Sequence, residues 1–419
     1  MASSSRRILL VSYFFPPCTD TGAHRPAALG KYLRRAGHDV TVLTTSAYGS
    51  LEGDKADGVE RTADMQLWRA RLHGADHVDA LYDADTYAGR PHMLSKLIVP
   101  EPLALAWAPF ARRRARALHR SRPFDSVITT SPPESAHSAG PGLQRLGAAW
   151  VADVRDAWTF EPLRPRFPTG LQRRLDERLE RRLLGAADAV VCVSEPAAAD
   201  LRERGIADPI LVRNGADPEL LDAADPASVA ELLDPERVSL VYTGRFGSAG
   251  RDPRGLLEGL RRIASESPED AARLELVVAG PLTEEERELF AAEVAPARVS
   301  LVGSLERGRA LALQRAADCL LLIAQPVRSQ LANFKLYEYL SAGPPILALA
   351  EDTEAGRIAL EIGAETVPAG DPEAIARALA RVARRELPPP DPDARSEYSY
   401  PTVAQRMAAA VETAIERRG

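Results

Sequence analysis

Short apolar runs alternate with longer amphipathic segments along this chain, and the pattern occurs twice. "RRILLVS" reads as a strand. "RPAALGKYLRRAGHDV" follows as a helix with apolar residues three and four apart, stopped at Gly37. "DVTVLTT" is the next strand, and "SVITT", "WVADV" and "AVVCVS" continue the series. Strand, helix and parallel strand in rotation imply a sheet covered by helices on both faces. A second set begins near "PILVRNGAD". Its strands are "VSLVYTG", "LELVVAG", "VSLVG", "CLLLI" and "PPILALA", separated by helical segments such as "RGLLEGLRRIA", "TEEERELFAAEV" and "GRALALQRAA". A chain of 419 residues is too long for one core. The expectation is an α/β protein with two Rossmann-like domains facing across a cleft. The first spans 1–205 and the second 206–395. The proline-rich "ELPPPDPDARSEYSYP" then leads to a last helix, within 396–419, that returns to the first domain.

Composition narrows the function. The net charge of −6 gives no reason to expect nucleic-acid binding. Cys18, Cys192 and Cys319 are far apart and odd in number, which fits a reducing compartment rather than a disulfide framework. No CxxC or histidine cluster suggests a metal. No apolar run reaches spanning length, and "MASSSRRILLVSYFF" is too short and too soon polar for a signal peptide. The reading is a soluble cytoplasmic protein. Between about 46 and 124 the rhythm weakens, and this stretch reads as an insertion outside the sheet core. It ends in "FARRRARALHRSRP", a basic helix. That charge run is either a solvated face or a patch for anionic lipid head groups or an acidic acceptor.

In open α/β sheets, ligands bind beyond the carboxyl ends of the strands, so the loops there carry the argument. "YFFPPCTDTGAHRPAAL" follows the first strand. Gly22 permits close backbone approach, giving either an anion or sugar site or an ordinary turn. It is not a GxGxxG fingerprint, and no acidic residue ends the second strand, which argues against a nicotinamide dehydrogenase. Arg155 and Asp156 leave "WVADV". They are either a local ion pair or a carboxylate able to bond a sugar hydroxyl or act as a base. "GRFGSAGRDPRG" leaves "SLVYT". Gly244 with Arg245, Arg251 and Arg254 forms a candidate diphosphate cradle, with a solvated loop as the alternative. There is no P-loop. Gly280 and Gly303 end two further strands and leave room for a flat group such as a nucleobase.

Taken in order, "PILVRNGAD", "YTGRF", "LVVAGP", "VSLVGS" with "ALALQRAADCLLL", and "KLYEYLSAGPPILAL" resemble the second half of a retaining, GT-B-fold glycosyltransferase of family 4. "ILLVSYFFPPCTDTGAHRPAALGKYLRRAGHDVTVLTT" and "AADAVVCVSEP" resemble its first half. The resemblance covers nearly the whole chain except about 46–124. It implies an N-terminal acceptor domain and a C-terminal nucleotide-sugar domain. It also implies transfer from a nucleoside diphosphate sugar, by family default UDP-linked, to a hydroxyl acceptor. That acceptor would be a saccharide, a lipid-linked glycan or a small natural product. Configuration would be kept, with no metal and no resident cofactor. Lipid-linked acceptors would imply peripheral contact at the inner membrane face.

The resemblance also places roles. Arg245 matches the arginine of the family's glycine-rich loop, and Arg251 takes the place of its lysine after a one-residue insertion. The family's Glu-x7-Glu motif falls on Gln330 and Glu338. Glu338 matches the carboxylate that holds the ribose hydroxyls. Gln330 departs from the glutamate that contacts the donor sugar; an amide still bonds a hydroxyl but carries no charge. Asn333 and Phe334, in "LANF", stand where the family has a glycine run, with N–H groups at a helix N-terminus. Lys335 adds positive charge near the diphosphate or is a solvated helix lysine. Gly343 stops the helix, and Pro344 and Pro345 prevent its continuation. Asp156 matches an acceptor or sugar contact. His137 is either a residue of the cleft or a capped helix histidine. Two rival functions remain: a nucleotide-sugar epimerase of the same fold, and a non-catalytic nucleotide-sugar-binding protein, which Gln330 favours.

Overall fold

The computed structural model describes residues 5–18, 20–48, 58–67, 97–162, 164, 167–247, 250–291, 294–324, 327, 329–332 and 334–419. The chain divides into two compact units, Met1–Arg213 with Val403–Gly419, and Asn214–Thr402.

The first unit is built on a seven-stranded parallel sheet. Its strands are β1 (Arg7–Val11), β2 (Asp39–Thr45), β3 (Val59–Thr62), β4 (Ser126–Ser131), β5 (Ala149–Val154), β6 (Ala189–Cys192) and β7 (Ile210–Leu211), in the order β3-β2-β1-β4-β5-β6-β7. β4 and β5 are buried at every residue, as expected where helices cover both faces. The chain runs from β1 outward to β3, then returns to the other side of β1 as β4. The strand order therefore reverses between β1 and β4, and the loops leaving those strands part around a crevice.

Two sequence expectations change here. "PILVR" does not begin the second set, because Ile210 and Leu211 pair with Val191 and Cys192 and close the first sheet. The unit boundary accordingly falls after Arg213 rather than after 205. The stretch 46–124 also reaches the core. Val59–Thr62 adds an edge strand whose Glu60 and Arg61 disguise it, and Trp107 is fully buried. Much of the rest of that stretch lies outside the described residues. The basic segment forms the helix Ala108–Ser121, which buries Ala108, Ala111, Ala115 and His119 and pairs Arg114 with Glu60.

The second unit holds a six-stranded parallel sheet. Its strands are β8 (Val238–Thr243), β9 (Leu274–Ala279), β10 (Arg298–Gly303), β11 (Cys319–Ile323), β12 (Ile346–Leu349) and β13 (Glu365–Val367), in the order β10-β9-β8-β11-β12-β13. Its reversal falls between β8 and β11. Before the last helix, the proline-rich stretch is ordered. Ala216 bonds backbone to backbone with Tyr398 and Tyr400, and both tyrosines are buried.

The terminal helix, Tyr400–Arg418, belongs from Val403 onward to the first unit. It buries Val403, Met407, Ala410, Val411 and Ala414, a stripe at helical spacing. Glu412 accepts two hydrogen bonds from Arg6, at 2.8 and 2.6 Å. No helix among the described residues is long and apolar enough to cross a membrane.

Candidate active site

At the strand reversal of the second sheet, β8 exits into Gly244, whose φ of +132° suits glycine. Its N–H donates to Ala279 O at 2.7 Å. A Cβ on Gly280 would fall 2.0 Å from Gly244 O, so the ends of β8 and β9 meet backbone to backbone. Phe246 then turns inward and stacks on Tyr242 at 4.1 Å. The Tyr242 hydroxyl donates to Arg245 O at 2.7 Å. Glu286, from the first turn of helix Glu284–Phe290, accepts the Gly247 N–H at 2.6 Å. These contacts fix the loop's backbone and leave the Arg245 side chain exposed. Arg251 folds back, its Nη1 donating to Arg245 O at 3.1 Å, while its buried Nε has no partner among the described residues.

The other wall is the helix Phe334–Ala342, reached from the loop after β11. A Cβ built on Gly244 would lie 2.5 Å from Lys335 Cε and 2.9 Å from its Nζ, so the ammonium rests directly over that glycine. Burial pulls the Lys335 ammonium down to about 8; Arg251 and Arg307 push the same way and Glu338 opposes them. One turn further on, Glu338 is buried and accepts from Arg307 Nη2 at 2.6 Å and, at 3.5 Å, from Gln314 Nε2. Gln314 also donates to Thr243 Oγ1 at 3.0 Å. Gln330 is buried, and its Nε2 has no hydrogen-bond partner among the described residues. Arg251 and Arg307 thus both repel the Lys335 ammonium, and Glu338 attracts it. Such a cluster is costly when empty and suits an anion.

The structure therefore brings Gly244, Arg251, Lys335 and Glu338 together, with Arg245 and Gln330 on the two loops that flank the reversal. Arg254 does not join them: it is exposed and pairs with Asp252 at 3.0 Å and Glu285 at 3.6 Å. Gly303 ends the edge strand β10 and is exposed, and a Cβ there would meet nothing within 4 Å. Its part is to accept the Gly280 N–H at 2.8 Å. Phe334 opens the helix and is partly buried; Asn333 lies outside the described residues. Arg307 and Gln314 were missed. Their helix, Arg307–Ala316, reads as an ordinary amphipathic segment, and only its place before β11 aims them at Glu338.

In the first unit, Gly22 is not an open anion site. Its N–H donates to the chain's own Asp20 carboxylate at 2.6 Å, and Phe14 lies against it. Arg155 is not simply a local ion-pair partner; its guanidinium donates to the carbonyls of Ser131, Gly22 and Pro132 at 2.6, 2.6 and 3.2 Å, tying three strand exits together. Asp156 is partly buried beside it. His137 is a helix residue, in the last turn of the 3-10 helix Glu134–Ala139. It is fully buried, stacked on Trp158, with Nδ1 2.8 Å from Thr129 Oγ1. Burial pushes it down to about 4, so it is neutral near pH 7.

A fully buried ion pair of this unit was also missed. Arg25 grips the fully buried Asp153 with two hydrogen bonds of 3.0 and 2.8 Å, and it donates to Val212 O and Arg213 O as the chain leaves β7. The signal was a lone carboxylate inside the apolar strand "WVADV".

Comparison with known proteins agrees with this architecture. Residues 22–216 match the family model of the glycosyl transferase 4-like domain, and residues 237–385 match that of the glycosyl transferases group 1. The chain belongs to the GT-B glycosyltransferases. Among solved structures it is similar to a sucrose-phosphate synthase from Thermosynechococcus elongatus, with 18% identity, a TM-score of 0.60, and 96% of this chain and 98% of that one covered. It is also similar to a UDP-forming α,α-trehalose-phosphate synthase from Burkholderia vietnamiensis, with 15% identity, TM-score 0.57 and 98% of both chains covered. A third is a UDP-N-acetylglucosamine 2-epimerase from Listeria monocytogenes, with 15% identity, TM-score 0.55, and 99% and 97% covered. No curated protein matches the sequence.

Proposed function

We propose that this glycosyltransferase takes its sugar from a UDP-sugar, keeps the anomeric configuration, and needs no metal. The observation that carries the reading is the Lys335 ammonium over Gly244, within Coulombic reach of Arg251 and Arg307 and one helical turn from Glu338. A nucleoside diphosphate offers anionic oxygens to the cations and a ribose diol to the carboxylate. Gln330, with its unpartnered Nε2, is available to a sugar hydroxyl.

In this reading the bond between the anomeric carbon and the diphosphate breaks first, giving an oxocarbenium-like centre. The acceptor oxygen bonds that carbon on the same face, and its proton passes to the departing diphosphate. Arg245, Arg251 and Lys335 stabilise the charge that grows on the leaving group. They occupy the place a divalent cation holds in metal-dependent transfer. Asp156 contacts the acceptor or the sugar.

The test is UDP release from a panel of UDP-, GDP-, ADP- and TDP-sugars with hydroxyl acceptors, in the presence of a chelator, with product configuration read by proton NMR. Retained configuration with a UDP-sugar, abolished in Arg245→Glu while the fold survives, is the expected result. Inverted product or near-normal Arg245→Glu activity would overturn the reading. The similarity to a structure named as an epimerase keeps one rival, which would consume UDP-sugar without any acceptor. Acceptor-dependent UDP release separates the two.

A further inference from the structure

The strand reversal of the first sheet carries a second group of unsatisfied polar atoms, of opposite charge. Glu134 opens the 3-10 helix Glu134–Ala139 soon after β4; its carboxylate turns back on its own backbone N–H, and it makes no ion pair with any described residue. Glu101 reaches the same helix, accepting the Ser135 N–H at 3.3 Å through one oxygen; its other oxygen is buried without a partner. The Ser135 hydroxyl, on a residue only 3% exposed, faces that carboxyl without a well-formed hydrogen bond to any described residue, and the Ser138 hydroxyl likewise has no partner among them.

Charge is unbalanced around them. Arg164 is the cation that faces the pair, but it is bound to Asp176 at 3.0 Å and to Pro100 O at 3.1 Å. Asp156 and Asp176 add their own negative fields to Glu134. Burial, with the charge of Glu134, pushes Glu101 up to about 8, and burial raises Glu134 as well. No three acidic or metal-binding side chains converge closely enough to hold a metal ion among the described residues. Ala157 and Trp158, just after Asp156, have φ of 55° and 33°, a strained conformation of the kind that gathers at ligand sites.

We propose that Glu101, Glu134 and Ser135 form a binding site for an amine-bearing, hydroxyl-rich small molecule, the acceptor class of an amino sugar. An ammonium between the two carboxyls supplies the missing counter-charge, and the serine hydroxyls meet ring hydroxyls. A neutral sugar offers the two buried carboxyls no added counter-charge, whereas an ammonium does. The role as acceptor rests on the transferase reading; the site itself does not.

The experiment is calorimetric titration of the full chain at about pH 7 with methyl glucosaminide and with methyl glucoside, and separately with UDP. The amine is expected to bind at least about tenfold more tightly than the neutral sugar. Binding also releases protons, because the incoming cation favours ionised Glu101; the heat then varies with the ionisation enthalpy of the buffer. Glu134→Gln, and independently Glu101→Gln, should bring the two sugars within about threefold of each other while UDP binding persists. Equal affinities in the wild type, no binding of either sugar while UDP still binds, or a full amine preference in folded Glu134→Gln would each overturn this site. Failure of UDP alone would instead count against the donor reading.

Discussion

The two units use one topology to opposite electrical effect. Each is a parallel sheet whose strand order reverses beside its first strand, between β1 and β4 in one and between β8 and β11 in the other. At the second reversal Lys335, Arg251 and Arg307 gather around Glu338, and among the described residues Arg251 Nε, Gln330 Nε2 and Gln314 Oε1 lack hydrogen-bond partners. At the first, two buried carboxyls, Glu101 and Glu134, stand together, and Glu101 Oε2, Ser135 Oγ and Ser138 Oγ lack partners among the described residues, as does Arg164 Nη1. A common backbone therefore makes the crevice, and the side chains after two or three strands decide what enters it. The donor's diphosphate suits one unit. An electron-rich nucleophile carried by a cation-bearing molecule suits the other.

This contrast depends first on the scaffold at the base of each crevice. In the first unit Arg25 and Asp153 are both buried, so removing one leaves an uncompensated charge. Asp153→Ala should lower that unit's stability by about 3–5 kcal/mol. The four tryptophans all precede residue 213, so urea unfolding followed by tryptophan fluorescence reports the first unit alone. A midpoint shifted by less than the error of the measurement would show that the pair does not anchor this crevice.

The next largest effect concerns the second unit's charge. Lys335→Met should weaken UDP binding by about 30- to 100-fold, the loss of one charge-assisted contact to phosphate, with the tryptophan-detected unfolding unchanged. An affinity within about twofold of wild type would remove Lys335 from the site.

The same lysine sets a pH dependence. Its ammonium titrates near 8 in the empty site, and diphosphate binding favours the charged form. UDP affinity should hold below that pH and fall as pH rises through it, by up to about tenfold per unit. Lys335→Met should give a flat profile over the same range. The smallest expected effect is Arg254→Ala, at most about twofold on UDP affinity, because that arginine is exposed and paired with Asp252 and Glu285. A large loss there would extend the cationic site along the loop.

Much of this contrast was legible in the sequence, though not evenly. Strands buried on both faces, such as "CLLLI" and "AVVC", announce themselves by continuous apolar character. Their loops could therefore be placed, and with them Gly244, Arg245, Arg251 and Lys335. The charged edge strand "VERT" carries no such signal, and a two-residue strand at 210–211 sits too close to the boundary to assign by pattern. The partners of a site residue are less legible still. Nothing in "GRALALQRAA" marks Arg307 and Gln314 as the groups on Glu338, since they arrive from a preceding helix through the fold. Gly22 shows the converse error. Its loop has the composition of an anion site, but the anion is Asp20, two residues away in the same chain. Glu101 stands in the stretch of weak periodicity, far from Glu134 and Ser135 in sequence, and only folding brings it to them.

Calorimetric titration of UDP into the full chain at about pH 7 tests the central claim most directly, namely that the second unit's cations form a nucleoside diphosphate site. Saturable one-to-one binding is expected, together with a fall in affinity of at least about tenfold when Arg251→Ala replaces the wild type. No heat of binding at millimolar UDP, or undiminished binding by a folded Arg251→Ala, Lys335→Met double variant, would contradict it.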